Sequence, residues 1–380
     1  MKSKRNLYVL ALGVFGITTT EFGVIGVLPE IASTFGISIE KAGWLLSAFA
    51  LIVAVFGPFM LVVLSSFKRK SLLVSSLLIF AVANILSAYI GNFYVLLVVR
   101  MLPAFFHPVY WSIALSFAEK ASDPSDKSKA VSIIFSGLTL ATVLGVPLAT
   151  LMSDLFYWQS SFLLTAGINI VAFIGVQLLL PAIEKEIEFP MVFDLNIFQN
   201  KNLWIGLLIA FFTIAAMYST YGYMAEFLKN VTHMNGKQIT IMLFMFGTVG
   251  VLGNKIAGKY MSRFPFQTTC IFLILLTGIH VLIYGYGSFF APMVWIIGFW
   301  GFIHSGGFLI SNLNVTSSVS GSSEFINSIF TSCGNFAVTT GTLFGGFWIA
   351  HYGIENSIGA SIIFITLALI MLFIKVKLVK

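Results

Sequence analysis

Apolar runs of roughly membrane-spanning length, repeated from one end of the chain to the other, restrict its fold more than any other feature. About twenty consecutive apolar residues are needed to cross a hydrocarbon core as a helix. In that core every backbone N–H and C=O must be satisfied internally, which leaves helices or closed barrels. Twelve runs are read, at about 7–28, 43–65, 71–91, 94–117, 130–152, 160–181, 202–227, 238–258, 267–287, 290–314, 326–350 and 356–374. Of the 380 residues, 58% are hydrophobic and only 9% charged, against about 25% charged in soluble domains. The expectation is an all-α integral membrane protein with twelve transmembrane helices and no sizeable soluble domain. MKSKR before the first run mimics a signal peptide. The run is too long for one and lacks a small-residue cleavage site, so it is read as a retained span. Cys270 and Cys333 both lie inside apolar runs and read as packing residues.

The longest polar stretch between runs is 182–201. It divides the chain into an N-terminal six-helix bundle, 1–181, and a C-terminal one, 202–380, joined by a cytoplasmic linker. Seventeen of the 21 Lys and Arg fall on one side of the membrane in this topology, and only Lys41, Lys229 and Lys237 on the other. Excess basic charge marks cytoplasmic loops, so both termini are placed in the cytoplasm of a cell-membrane protein. The loop near Ser317–Ser323 is the exception, with no Lys or Arg. The halves also repeat. Gly57 in VFGPF aligns with Gly253 in VLGNK at an offset of 196; His107 aligns with His304, and Gly137 with Gly334, at 197. Two six-span halves with a small-molecule site between them near midplane is a known transporter plan.

Chemistry concentrates in the first run, LYVLALGVFGITTTEFGVIGVL, whose one ionisable residue is Glu21. Intramembrane carboxylates are costly, and by default they mark an ion or substrate pathway. Glu21 is read as a protonatable coupling site; the alternative is a carboxylate near the surface. Counting helix rise from the outer ends puts Glu21 and Arg100 at similar depths, roughly 10 and 9 Å. Coupling between them is expected, the alternative being that Arg100 snorkels outward. Gly13, Gly16, Thr20 and Gly23 form a small-residue stripe for close helix approach. The offset maps Glu21 onto Tyr218, and the second half holds no deeply placed acid. Tyr218, Tyr221, His304, Asn312, Asn314 and Asn335 are candidate cavity or interhelical hydrogen-bonding groups there. His107, ahead of an expected kink at Pro108, joins His304 as a candidate for substrate contact or proton relay. His280 has a weaker claim. No metal site or cofactor is expected. An enzyme is not expected either, because neither HExxH nor GxSxG is present.

TTTEFGVIGVLPEIASTFGIS followed by KAGWLLSAFAL resembles the opening of the major facilitator superfamily, in its twelve-span drug–proton antiporter group. The likeness is strongest to the sugar and nucleoside efflux permeases. GLTLATVLGVPLATLMSDLFYWQSSF resembles that group's fifth-helix antiporter motif: Gly137, Gly145 and Pro147 match, and Ala149 stands where glycine is common. The span with Arg100 resembles the fourth-helix motif whose arginine is linked to proton transfer. GNFAVTTGTLFGG resembles the eleventh helix, with Asn335 in the matching place. The loop after helix two keeps Gly57 and the Lys68–Arg69 basic cluster but lacks the usual Asp. GNKIAGKYMSR keeps Gly253, Gly258 and Arg263, with Ser262 where Asp is common, and Gln159 replaces a frequent Arg.

The resemblance implies alternating access by two rocking halves and export of a small organic solute (drug, sugar or nucleoside type) coupled to inward proton flow. A proton symporter or facilitator importing a solute is the alternative. Expected partners are substrate, protons and membrane lipids, with no nucleic acid and a functional monomer.

Overall fold

The computed structural model describes residues 2–64, 66–120, 127–181, 195–261, 263–316 and 323–379. Every regular element among them is helical. In chain order they are α1 (Lys2–Phe22), α2 (Leu28–Phe35), α3 (Ile39–Ala42), α4 (Trp44–Val63), α5 (Arg69–Tyr89), α6 (Phe93–Met101), α7 (His107–Lys120), α8 (Lys127–Leu140), α9 (Val146–Leu155) and α10 (Trp158–Leu179). There follow α11 (Lys201–Tyr221), α12 (Met224–Asn230), α13 (Gly236–Met261), α14 (Pro265–Tyr286), α15 (Phe290–His304), α16 (Gly307–Thr316), α17 (Ser323–Tyr352) and α18 (Ile358–Val379). Of the expected linker, 182–194 lie outside the described residues, as do 317–322 and Ser262.

Eleven helical segments among the described residues are long and apolar enough to cross a membrane. α17, 30 residues long, is a further long helix, its apolar run diluted by Ser, Thr, Gly and Asn. Large apolar side chains such as Leu178, Trp295 and Phe299 point outward, as expected where the surrounding solvent is hydrocarbon.

The chain divides into two compact units. One comprises Met1–Gly36 with Val55–Phe189, the other Ile37–Ala54 with Pro190–Lys380. Ile37–Ala54 lies within the expected N-terminal bundle in sequence, yet it groups with the second unit. Thr339 on α17 donates to the Ser47 carbonyl at 3.1 Å, and the Tyr223 ring fills the space left by the missing side chain of Gly43.

Several spans are broken helices, and the breaks follow local chemistry. The first was expected over 7–28 but continues to Phe35, through a 3-10 turn at Gly23–Val27. Pro29 sits in the first turn of α2, where a missing N–H does no harm. Gly36 closes α2 with φ +59°, a conformation that favours glycine. In the fourth span the break lies ahead of the expected kink at Pro108. α6 ends at Met101, a 3-10 turn occupies Pro103–Phe105, and α7 begins at His107. Pro103 has no N–H to continue α6, whereas Pro108, second in α7, falls where none is needed. The fifth span carries a π-turn at Ala141–Gly145 before Pro147. The seventh breaks after Tyr221, and the tenth between His304 and Gly307.

Candidate functional site

Glu21 occupies the last turn of α1 and is 4% exposed. Its Oε2 lies 3.1 Å from Nε2 of His107, which is 7% exposed. The break in the fourth span is what places His107 at the first position of α7. Its ring packs beside Phe80 and Trp111, each with a centroid separation of 6.5 Å. The partner of Glu21 is therefore His107, and no salt bridge joins Glu21 to Arg100 among the described residues. Arg100 instead donates from Nη2 to the Thr20 carbonyl at 2.7 Å, and its guanidinium lies over the Phe162 ring at 4.8 Å from the centroid. That carbonyl belongs to the peptide bond immediately before Glu21. The cation and the carboxylate thus meet α1 at the same level, linked through backbone. A buried charge stays tolerable in an apolar bundle only when such partners are supplied.

Thr20 is a meeting point for three other helices. Its hydroxyl accepts from Asn84 Nδ2 on α5 at 3.0 Å and from Asn169 Nδ2 on α10 at 3.2 Å. It also donates back to the Gly16 carbonyl at 3.0 Å. With Arg100 on the Thr20 carbonyl, these bonds set the rotation of α1 just ahead of Glu21. Asn84 and Asn169 were missed by the sequence reading. The signal was present, since each is an isolated amide inside an apolar run, and such groups turn toward the bundle interior.

The small-residue stripe of α1 does not serve one neighbour. Side chains added at Gly13, Gly16 and Gly23 would meet Tyr110, Asn169 and Ala149 respectively, on three different helices. Ala149 faces Gly23, its Cβ lying 3.4 Å from one added there. Gly137 and Gly145 pack the fifth span onto α1. A Cβ on Gly137 would strike the Ala11 carbonyl and come within 2.9 Å of Val14 Cβ, and one on Gly145 would strike the Thr19 side chain. Pro147 is buried in the first turn of α9. A Cβ on Gly57 would touch Pro108 at 3.4 Å. In the basic cluster Lys68 is exposed and Arg69 buried. Lys70 donates to the carbonyls of Gln177 at 2.9 Å and Leu180 at 2.6 Å, at the C-terminal end of α10. There a cation also meets the negative end of the helix dipole.

In the second unit, Tyr218 and Tyr221 of α11, Phe246 of α13, and Trp300 and His304 of α15 form one aromatic cluster. The His304 ring lies 4.8 Å from Tyr221, 5.2 Å from Phe246 and 6.1 Å from Tyr218. Tyr221 stacks on Phe246 at 5.0 Å. His304 thus meets Tyr221 as His107 meets Glu21, so the contacts favour Tyr221 over Tyr218 as the counterpart of the carboxylate. The register of the repeat shifts at Gly334 as well. Its added Cβ would meet only side chains, at 3.5 Å or more, whereas one at Gly341 would strike the Ala215 backbone, as one at Gly137 would strike that of Ala11. Gly253 is crossed by the Phe302 backbone.

Other candidates stand apart. Asn335 is half-buried and donates to Thr331 within α17 at 3.0 Å; Asn312 is half-buried on α16. Asn314 bridges to the Thr269 hydroxyl at 2.9 Å. Arg263 lies over the Phe264 ring at 5.4 Å. His280 has both nitrogens engaged, Nδ1 with the Leu276 carbonyl at 2.6 Å and Nε2 with the Thr220 hydroxyl at 3.0 Å. A carbonyl can only accept, so Nδ1 carries the proton and Nε2 accepts from Thr220. No group of three or more His, Cys, Asp or Glu suited to a metal ion occurs among the described residues.

Comparison with known proteins gives this arrangement its context. The Major Facilitator Superfamily model matches residues 10–324. The chain is similar to the inner membrane transport protein YdhP of Escherichia coli (strain K12), with 33% identity over 73% of this chain and 71% of that one. It is similar to a "probable sugar efflux transporter" of Helicobacter acinonychis (strain Sheeba), at 26% identity over 92% and 89%. A crystal structure of a bacterial homolog of the human lysosomal transporter Spinster shares the fold, with TM-score 0.80, 16% identity and coverage of 98% and 96%. So does that of the nucleoside transporter NupG, with TM-score 0.76, 14% identity and full coverage of both chains. An all-helical chain with this family match along most of its length belongs to the major facilitator superfamily and is a multi-pass membrane transporter.

Proposed function

We propose that this transporter exports a small organic solute, of sugar, nucleoside or drug type, in exchange for protons, and that Glu21 with His107 is the proton-carrying pair. The observation that carries the reading is the 3.1 Å contact between these two buried side chains. With one proton between them, the pair is either carboxylate and imidazolium or carboxylic acid and neutral imidazole, and both are hydrogen-bonded. A second proton leaves an imidazolium beside a neutral acid and removes the attraction. Loss of the first proton leaves an uncompensated carboxylate. The number of protons therefore changes how tightly α1 and α7 are held together, which is what coupling to a conformational change requires. Arg100 acts in this scheme through the Thr20 carbonyl, holding α1 in register beside the pair.

The Tyr218, Tyr221 and His304 cluster is taken to supply substrate contacts in the second half. The similarity to sugar efflux proteins supports a polar organic solute. Lys and Arg asymmetry supports cytoplasmic termini and a cell-membrane location, and the chain is taken to work as a monomer among lipids. The close glycine contacts of the fifth span on α1 fit export, as the resemblance to the antiporter motif implies.

Proteoliposomes with an imposed pH gradient test this. Solute should move against its gradient when protons run the opposite way, and Glu21→Gln should abolish that uphill movement while leaving solute exchange at equal pH. Uphill movement in the same direction as protons would establish the symport alternative. Undiminished uphill exchange by Glu21→Gln would refute the assignment of the proton site.

A further inference from the structure

α13 presents an exposed stripe along its length, and the stripe changes character near the end of the helix. Ile241, Phe244 and Val251 make it apolar, as befits side chains that face lipid. Over the last two turns it becomes basic. Lys255 and Lys259 are exposed there, and exposed Arg263 carries the four-residue spacing into the turn that follows. That turn is fixed, because the backbone N–H groups of Arg263 and Phe264 both donate to the Tyr260 carbonyl, at 3.1 and 2.8 Å. Residues four apart share a helix face, so the three cations line up over about 12 Å. Beside them runs a second exposed row, the apolar Leu252, Ile256 and Tyr260.

Neither the helix dipole nor loop charge accounts for the basic row. Cations favour a helix C-terminus, but the effect fades beyond the last turn, and Lys255 lies about 9 Å before Met261 along the axis. Basic residues also collect in cytoplasmic loops, whereas Lys255 and Lys259 stand on the helix itself. The first half supplies a comparison. At the offset of 196 that pairs Gly57 with Gly253, the three cations stand opposite Phe59, Val63 and Phe67, all of them exposed. An apolar surface therefore satisfies the fold at this place, and the charges are peculiar to the second half. α13 contains no Asp or Glu, nor do α14, α15 and α16, which pack against it. No carboxylate on these helices offsets a row of charge that is costly beside hydrocarbon.

We infer that this face of α13 is a docking site for an anionic phospholipid, with Lys255, Lys259 and Arg263 holding the phosphate and Leu252, Ile256 and Tyr260 lying along an acyl chain. Charge complementarity and the neighbouring apolar row select this partner together. A soluble anion would leave the apolar row unused, and a zwitterionic lipid brings a cation of its own into the basic row. Leu252 is the deepest of the six, so the order along the helix matches that of a lipid, chain first and headgroup last. Lys and Arg stems follow apolar surface while their charged ends reach the headgroup level, where basic clusters bind anionic lipids. The inference goes beyond the export reading and does not depend on it, since it requires only that the chain spans a membrane.

Native mass spectrometry of the full chain, delipidated in non-ionic detergent, tests this. The probes are dioleoyl phosphatidylglycerol, dioleoyl phosphatidylcholine and glycerol 3-phosphate. The first phosphatidylglycerol should bind about tenfold or more tighter than phosphatidylcholine. That preference should shrink as ammonium acetate rises, and glycerol 3-phosphate should not displace the lipid. Lys255→Gln, Lys259→Gln and Arg263→Gln should each weaken phosphatidylglycerol binding by about fivefold, and the triple variant should lose the preference while still binding phosphatidylcholine. Lys237→Gln, at the opposite end of α13, should keep it. Equal affinity of the wild type for the two lipids would overturn the site, and that measurement needs no altered protein. So would a preference that survives the triple variant, an equal loss in Lys237→Gln, or displacement by glycerol 3-phosphate, which would mark a site for soluble anions.

Discussion

Asn169 offers the sharpest test of how α1 is held. Its Nδ2 donates to the Gly16 carbonyl at 3.3 Å, the Thr20 hydroxyl at 3.2 Å and the Thr165 carbonyl at 2.8 Å. Asn169→Leu keeps much of the volume and removes all three. Interhelical hydrogen bonds between membrane helices average about 0.6 kcal/mol and reach about 1.7 kcal/mol. Two of these cross from α10 to α1 and together contribute about 1 kcal/mol, less whatever Leu regains by packing. Thr20→Val removes the shared acceptor with little change in shape. If Asn169 and Thr20 interact as described, the double variant must lose less than the sum of the single losses. The difference should be about 0.6 kcal/mol or more. Unfolding in mixed micelles titrated with dodecyl sulfate, followed by tryptophan fluorescence, measures all four proteins. Additivity within about 0.3 kcal/mol would refute the view that Thr20 ties α1 to α10. The same cycle with Asn84→Leu examines the contact to α5, where the donor–acceptor distance is 3.0 Å.

Gly253→Ala should destabilise by about 1–3 kcal/mol, because its Cβ would strike the Phe302 backbone, which cannot rotate away. Gly334→Ala should fall within about 0.5 kcal/mol of wild type in the same unfolding assay, since it would touch only the Ile214 and Phe308 side chains, at 3.5 and 3.8 Å. Lys70→Met should cost about 1 kcal/mol and speed amide hydrogen exchange in the last turn of α10, where Lys70 holds the Gln177 and Leu180 carbonyls. An unchanged exchange rate there would show that the cap does not bear on local opening.

The resemblance between halves shows where reading a sequence loses precision. Matching short motifs places His107 opposite His304, and the structure puts both at breaks in their spans. The same offset selects Tyr218 and Gly334, whereas the contacts favour Tyr221 and Gly341. A helix turns about 100° per residue, so a shift of a few positions redirects a side chain to another neighbour without altering hydropathy. Small insertions at broken helices, such as the turns after Glu21 and Tyr221, are enough to change that phase.

Sequence alone determined that this chain is helical and spans a membrane, and that Glu21 is the exceptional residue of its first span. Those properties depend on run length, on the cost of burying charge, and on the local chemistry of Gly and Pro. Only the tertiary structure decided what Glu21 meets. Arg100 was the natural partner by charge and depth, yet the guanidinium takes the Thr20 carbonyl and His107 takes the carboxylate. The reason is directional. Which of several surrounding helices a side chain reaches depends on helix phase and tilt, here set by the break at Pro103 and by the two Asn amides on Thr20. None of these leaves a mark on the charge or spacing of Glu21 itself.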